Sequence, residues 1–232
     1  MSAASHLPLR ASRTPRRKAV MHNDAGESTR SRLVAAAERL FAEQGAAVST
    51  REIGKAAGQS NKSVVAYHFG TRDELVLAIA RTHAPDIERR REAMMAAMPA
   101  TSELADWLAC IVKPITDHLA SLGRPTWYAR FLVCALADPR LRELVFDDAI
   151  TSPSMRTMLH EVNRRLPALP PDVFEARGLM SQHLIVNTCA DYERALQART
   201  RAPWASWQAV CDTTVDALLG MWCAEVHRSG RA

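Results

Sequence analysis

At 232 residues, 47% hydrophobic and 24% charged, the chain has the apolar content for one large or two modest domains with a sizeable core, which excludes extensive disorder. Its apolar runs fall far short of the ~20 residues that cross a bilayer, so neither an integral membrane protein nor a membrane partner is expected. The formal charge of +5 is one-sided: residues 1–83 hold 13 Lys/Arg against 7 Asp/Glu and residues 84–232 hold 17 against 18, as in a polyanion-binding module joined to a near-neutral body.

The N-terminal stretch carries Arg10, Arg13, Arg16, Arg17 and Lys18 against one acid, Asp24. No apolar segment follows Arg16-Arg17, so it lacks the pattern of an export signal. Residues 1–26 are expected to be a disordered basic arm, most of which a translation start at Met21 would delete.

After Gly26, the residues Leu33, Val34, Ala37, Leu40 and Phe41 recur as one helical stripe that stops at Gly45. Ser49-Thr50-Arg51-Glu52 has the form of a capping box and opens a short second helix that Gly58 ends. A third segment spans Ser60 to Tyr67, and Thr71-Arg72-Asp73-Glu74 starts a longer helix through Leu75 and Ile79. Beyond it Pro99, Pro125, Pro139, Pro153, the Pro167–Pro171 cluster and Pro203 divide the chain into segments of helical length, while Pro85 and Pro114 fall inside helices and should kink them. The last two segments, about 172–199 and 203–228, are the longest of the body. Both are apolar on more than one side, as helices buried by their own core and by a partner chain would be.

Glycine and proline number only 9 and 12, and no Asn-Gly or Asp-Gly dipeptide is present to close a hairpin, so an all-β fold is not expected. Five widely spaced cysteines, Cys110, Cys134, Cys189, Cys211 and Cys223, form no C-x-x-C pair. They imply no zinc site and no disulfide framework, and point to a reducing cytoplasm. No nucleophile-elbow, zincin, dinucleotide or P-loop motif is present, and His160-Glu161 lacks a second histidine at ligand spacing. Neither a catalytic site, a metal site nor a cofactor is expected.

The two short segments joined through Gly58 have the form of a helix-turn-helix, whose second helix enters the major groove. Gln59, Ser60, Asn61, Lys62 and Ser63 crowd its start with hydrogen-bonding side chains. Asn and Gln pair with adenine and Lys with guanine, although such a cluster also suits a plain helix cap. With Ala36-Ala37, Leu40-Phe41, Thr50-Arg51-Glu52-Ile53, Ala56-Ala57-Gly58, Tyr67-His68-Phe69-Gly70 and Asp73-Glu74-Leu75, residues Thr29 to Ala80 resemble the DNA-binding domain of the TetR/AcrR family of transcriptional regulators. Three departures stand out: one extra residue between Gly58 and Tyr67, which leaves the register against the bases open by one position, Ala66 where a second aromatic is frequent, and Gly54 where alanine is usual.

The resemblance implies an all-α protein: a three-helix DNA-binding domain with a helix-turn-helix, then an α-helical ligand-binding and dimerisation domain. The expected divisions are the arm at 1–26, the DNA-binding domain and start of a connecting helix at 27–83, and the body at 84–232. It implies a cytoplasmic homodimer on double-stranded operator DNA, most simply a repressor released by a small-molecule effector. An activator, a protein-signalled regulator, or a helical ligand carrier without DNA binding are the alternatives. The DNA contacts expected are Ser49, Thr50, Gln59, Ser60, Asn61, Lys62, Ser63, Tyr67, His68 and Arg72. The ligand contacts expected are Trp107, Trp127, Tyr128, Phe131, Met155, Met158, His183 and Asn187, against the alternative that such residues are simply core. The dimer face is expected at Leu179, Val186, Trp207, Cys211, Leu218 and Trp222.

Overall fold

The computed structural model describes residues 23–226, with side chains from Thr29 onward; the basic residues expected to form an arm lie outside the described residues. Every regular element among the described residues is helical. Helix α1 (Asn23–Gln44) begins inside the stretch assigned to the arm, because extending an existing helix avoids the cost of a new nucleus. Its stripe of Leu33, Val34, Ala37, Leu40 and Phe41 is buried, and a 3-10 turn (Gly45–Ala47) follows.

Helix α2 (Thr50–Ala56) opens on a complete capping box. The Glu52 amide donates to Ser49 Oγ at 3.2 Å and the Ser49 amide donates to Glu52 Oε2 at 2.8 Å. Gly58, at φ 73°, makes the turn that a side chain would strain. Helix α3 (Val64–Phe69) starts later than Ser60. Asn61 Oδ1 accepts a hydrogen bond from the Ser63 amide at 2.9 Å, so the side chain offers the backbone a local turn in place of the first helical bonds. Gly54 has its reason in the same place: a Cβ there would stand 3.2 Å from Val64 Cγ1, so the longer turn brings α3 too close to α2 for alanine without a shift of Val64.

Helix α4 (Arg72–Ala96) is capped by Thr71, whose Oγ1 accepts from the Glu74 amide at 3.1 Å. It runs without a break through residue 83 into the body, with Pro85 inside it. Six further helices follow: α5 (Leu104–Ser121), α6 (Tyr128–Ala137), α7 (Pro139–Ile150), α8 (Pro153–Arg165), α9 (Pro171–Ala198) and α10 (Trp207–Cys223). Pro139, Pro153 and Pro171 each occupy a first helical position, where their missing N–H is not needed. Phe41 of α1 packs on Phe131 of α6 with ring centroids 6.1 Å apart, and one core runs from Leu33 in the head to Val210 in α10. Glu193 of α9, almost fully buried, accepts from the Ala129 and Arg130 amides at 3.3 and 3.1 Å and from Arg130 Nε at 3.1 Å. It thereby caps α6 and ties it to α9.

The expected dimer face is corrected here. Val186, Cys211, Leu218 and Trp222 are buried within the single chain, Leu218 among Leu108, Met158 and Ile185. The Trp222 indole donates to Ser181 Oγ at 3.0 Å, and half-buried Trp207 stands edge-on to Tyr192. Helix α10 is packed between α5 and α9, so its apolar sides face its own neighbours. Of the six residues only Leu179 is exposed.

All five cysteines are unpaired. Burial pushes the Cys110 and Cys189 thiols up to about 11 and about 12 and raises Cys134 and Cys211 as well; Cys223 alone is exposed.

Candidate nucleic-acid interface and central cavity

Val64, Val65 and Phe69 anchor α3 in the head's core, which turns the opposite side of the helix and its preceding turn outward. Ser60, Asn61, Lys62 and Ser63 are exposed there, and Tyr67 is 82% exposed with its ring edge-on to His68. Thr50, Arg51 and Lys55 are exposed on α2. The two cations extend the polar face beyond the residues picked out by the spacing of the motif. Nothing in their local pattern separates them from ordinary surface charges.

Five expected contacts are already engaged, one of them Asn61, whose Oδ1 holds the Ser63 amide at 2.9 Å and leaves the side-chain NH2 free to donate. The Ser49 hydroxyl and Glu52 carboxylate bond to each other and to the opposing amides, which holds the Glu52 carboxyl below its ordinary range. Gln59 is half-buried and its amide points back to the Ala57 carbonyl at 3.4 Å. His68 is half-buried between Tyr67 and Phe69. Arg72 is the clearest correction: its guanidinium donates to the Ala46 carbonyl and lies 5.1 Å from the centre of the Phe41 ring, so it staples α4 to α1 and is not offered to a phosphate.

In the body a cavity of about 730 Å³ lies among α4 to α10. Its walls are mostly aliphatic and aromatic, and half-exposed Ile150, Leu159 and Phe174 form its rim. The charged groups on its walls have partners. Arg91, 2% exposed, bonds Glu88, donates to Ser154 Oγ at 3.3 Å and to the Cys110 carbonyl at 3.2 Å. Asp148 takes Arg81 at 2.6 Å.

Of the expected ligand contacts, Tyr128 and Met155 line this cavity. The others do not. Phe131 and Met158 are core. Trp107 lies under the Arg165 guanidinium and Trp127 precedes α6; each buries its indole Nε1 without a partner. His183 and Asn187 are exposed, with the Asn187 amide donating to the His183 carbonyl at 2.8 Å. They do lie one turn apart on one face of α9, but that face points out, because Ile185, Val186, Cys189 and Ala190 take the inner side. Among the described residues, no cluster of His, Cys, Asp and Glu is arranged to hold a metal ion, and no helix is long and apolar enough to cross a membrane.

Residues 33–79 match the family model described as bacterial regulatory proteins, tetR family. The HTH-type transcriptional dual regulator CecR of Shigella flexneri is 39% identical over 75 residues, which cover 28% of this chain and 33% of that protein. The match thus spans about a third of the relative's length. Among solved structures, the TetR family transcriptional regulator PfmR of Thermus thermophilus aligns with a TM-score of 0.46 at 13% identity, over 85% of this chain and 98% of that one. NalD, the secondary repressor of the MexAB-OprM multidrug efflux pump in Pseudomonas aeruginosa, aligns with a TM-score of 0.47 at 21% identity, over 84% and 94%.

Proposed function

We propose, on the match of residues 33–79 to the tetR family of bacterial regulatory proteins, a homodimeric, cytoplasmic, non-enzymatic regulator that grips a near-palindromic operator with α2 and α3. The observation that carries the DNA contact is the exposed run Ser60, Asn61, Lys62 and Ser63 in the turn before α3, together with exposed Tyr67 on α3, whose other side is locked in the core. Base-edge readers are Asn61 and Lys62. Tyr67, Thr50, Arg51 and Lys55 hold the backbone, which positions the head without reading sequence. Residues 27–83 act as this head and 84–232 as the body, with α4 as the shared strut.

The cavity suits an uncharged, largely apolar molecule of drug size as the effector. A charged ligand would be desolvated against walls whose own charges already have partners. Repression relieved by such a ligand is the reading we adopt; the dual regulator in the name of the Shigella relative favours activation at some promoters as the second reading. The partner chain docks on the outward faces of α9 and α10, which expose Leu179, Met180, His183 and Asn187 on α9 and the small residues Thr213, Ala217 and Gly220 on α10. Small side chains permit close helix approach, and two-fold symmetry then sets two α3 helices about 34–36 Å apart, one DNA turn.

Selection of duplexes from a random library with the full chain tests the reading. Recovery of a two-fold symmetric site is expected, and failure to enrich any sequence would favour the ligand carrier. On the selected site, Asn61→Ala and Lys62→Ala should each cost about 1–3 kcal/mol at one base position and relax preference there. Tyr67→Phe should weaken all sites alike, and a Lys62→Ala variant with unchanged preference would show that the extra residue turns Lys62 to the phosphates.

A further inference from the structure

A chain of four titratable side chains, with two buried imidazoles between two partly buried carboxylates, joins the head to the body. Glu38 of α1 places Oε2 3.0 Å from His83 Nε2; His83 of α4 places Nδ1 2.8 Å from His118 Nε2; His118 of α5 places Nδ1 2.7 Å from Asp86 Oδ2. Both imidazoles are buried, at 6% and 4% exposure. Asp86 also receives Arg90 Nε at 2.7 Å and the Arg89 guanidinium. Tyr128 of α6 covers the chain. Its ring stacks on His83 with centroids 3.8 Å apart and stands edge-on to His118, while Tyr128 is also part of the cavity wall.

Each of the three contacts requires one proton between its two heavy atoms. Asp86, held at about 2 chiefly by its bonds to Arg90 and His118, is ionised, so His118 Nδ1 carries a hydrogen and donates it. The short nitrogen-to-nitrogen contact holds a second proton, and the contact to Glu38 a third. Two neutral imidazoles supply only two. The chain therefore contains one proton more than two neutral histidines and two carboxylates would. The His118 bond to Asp86 and the nitrogen-to-nitrogen contact use the two protons of neutral imidazoles, so the excess proton lies in the contact between His83 Nε2 and Glu38 Oε2.

We propose that this chain is a proton-dependent latch fixing the head to the body, closed with one excess proton and opened when that proton is lost or a second is gained. The proposal rests on the reading of α1 to α3 as a DNA-binding head only for its consequence in regulation. If the excess proton leaves, His83 Nε2 turns a lone pair toward the Glu38 carboxylate, and two acceptors face each other. If His118 takes up a second proton, two N–H donors face each other across the imidazole pair. Either arrangement drives α1 or α5 away from α4. The charged and titratable groups facing the pair are Glu38 from α1, Asp86, Arg89 and Arg90 from α4, and Tyr128 from α6. Because Tyr128 borders both latch and cavity, a ligand that turns its ring also changes how tightly His83 holds its proton, and the coupling acts equally in reverse.

The full chain, without DNA or ligand, supplies the test. Nitrogen-15 spectra of the histidine rings near neutral pH should show His83 protonated on both nitrogens and His118 on Nδ1 alone. In Glu38→Gln the side-chain amide donates to a neutral His83, so the latch closes without the excess proton. The wild-type melting temperature should fall by about 2–4 °C relative to that variant as pH rises from about 6.5 to about 8.5. Bare nitrogens on both sides of the imidazole pair near neutral pH, or parallel melting profiles, would overturn the latch; if Glu38→Gln does not fold, the wild-type spectra decide alone. A correct proton count in a chain that enriches no duplex would leave the latch standing and remove the DNA-binding reading.

Discussion

Operator affinity should drop by about 10⁴ when monovalent salt rises from about 50 to about 200 mM. A dimer that neutralises roughly eight phosphates releases the matching counterions, and log K then falls against log salt with a slope of about −7. The head supplies the cations: Arg51, Lys55 and Lys62 are exposed on or just before α2 and α3, which gives six in the dimer before the N-terminal residues are counted. Arg72 is not counted among these direct contacts, because its guanidinium is held on the Ala46 carbonyl and the Phe41 ring, although its charge still adds to the positive field of the head. Deleting residues 1–20 should flatten the slope and weaken all sequences alike. Affinity measured by fluorescence anisotropy on the selected site across that range checks both, and an affinity indifferent to salt would contradict the interface.

Leu218→Glu should abolish folding of the body and not merely separate two subunits. Leu218 is fully buried beside Leu108, Met158 and Ile185. Truncation to Ala there costs about 2–5 kcal/mol through lost transfer energy and the cavity left behind. A carboxylate adds the larger penalty of an unpaired charge away from water, against a total stability of about 5–15 kcal/mol for a typical domain. Loss of the cooperative melting transition by circular dichroism is expected. A variant on the outer face, Ala217→Glu, should keep the fold and lose the dimer, so sedimentation of the two variants distinguishes a core position from an interface.

Much of the head was legible in the sequence because its signals are local. The spacing of Leu33 to Phe41, the Ser49 capping box and the glycine at 58 each act within one or two turns of helix, and each is found where the spacing puts it. The start of α3 was not, because Asn61 can satisfy the backbone either as a helix cap or as a turn, and only the seating of Val64 against Gly54 decides between them. In the body, period alone identifies an apolar face without naming what covers it. Leu218 and Trp222 read equally well as core or as interface, and His183 with Asn187 read as a pair without revealing that the pair points outward. Glu38 and His83 are 45 residues apart, a distance at which no sequence pattern announces a contact.

The thiol chemistry has a practical reach. Four of the five cysteines are raised by burial, and it is the thiolate that reacts with alkylating reagents. Cys223, exposed at the end of α10, is thus a ready-made attachment point for a maleimide dye in the unaltered chain. In a symmetric pair the two dyes would sit near the proposed interface, so energy transfer between them would follow subunit exchange in real time and register any change in subunit spacing when the cavity fills.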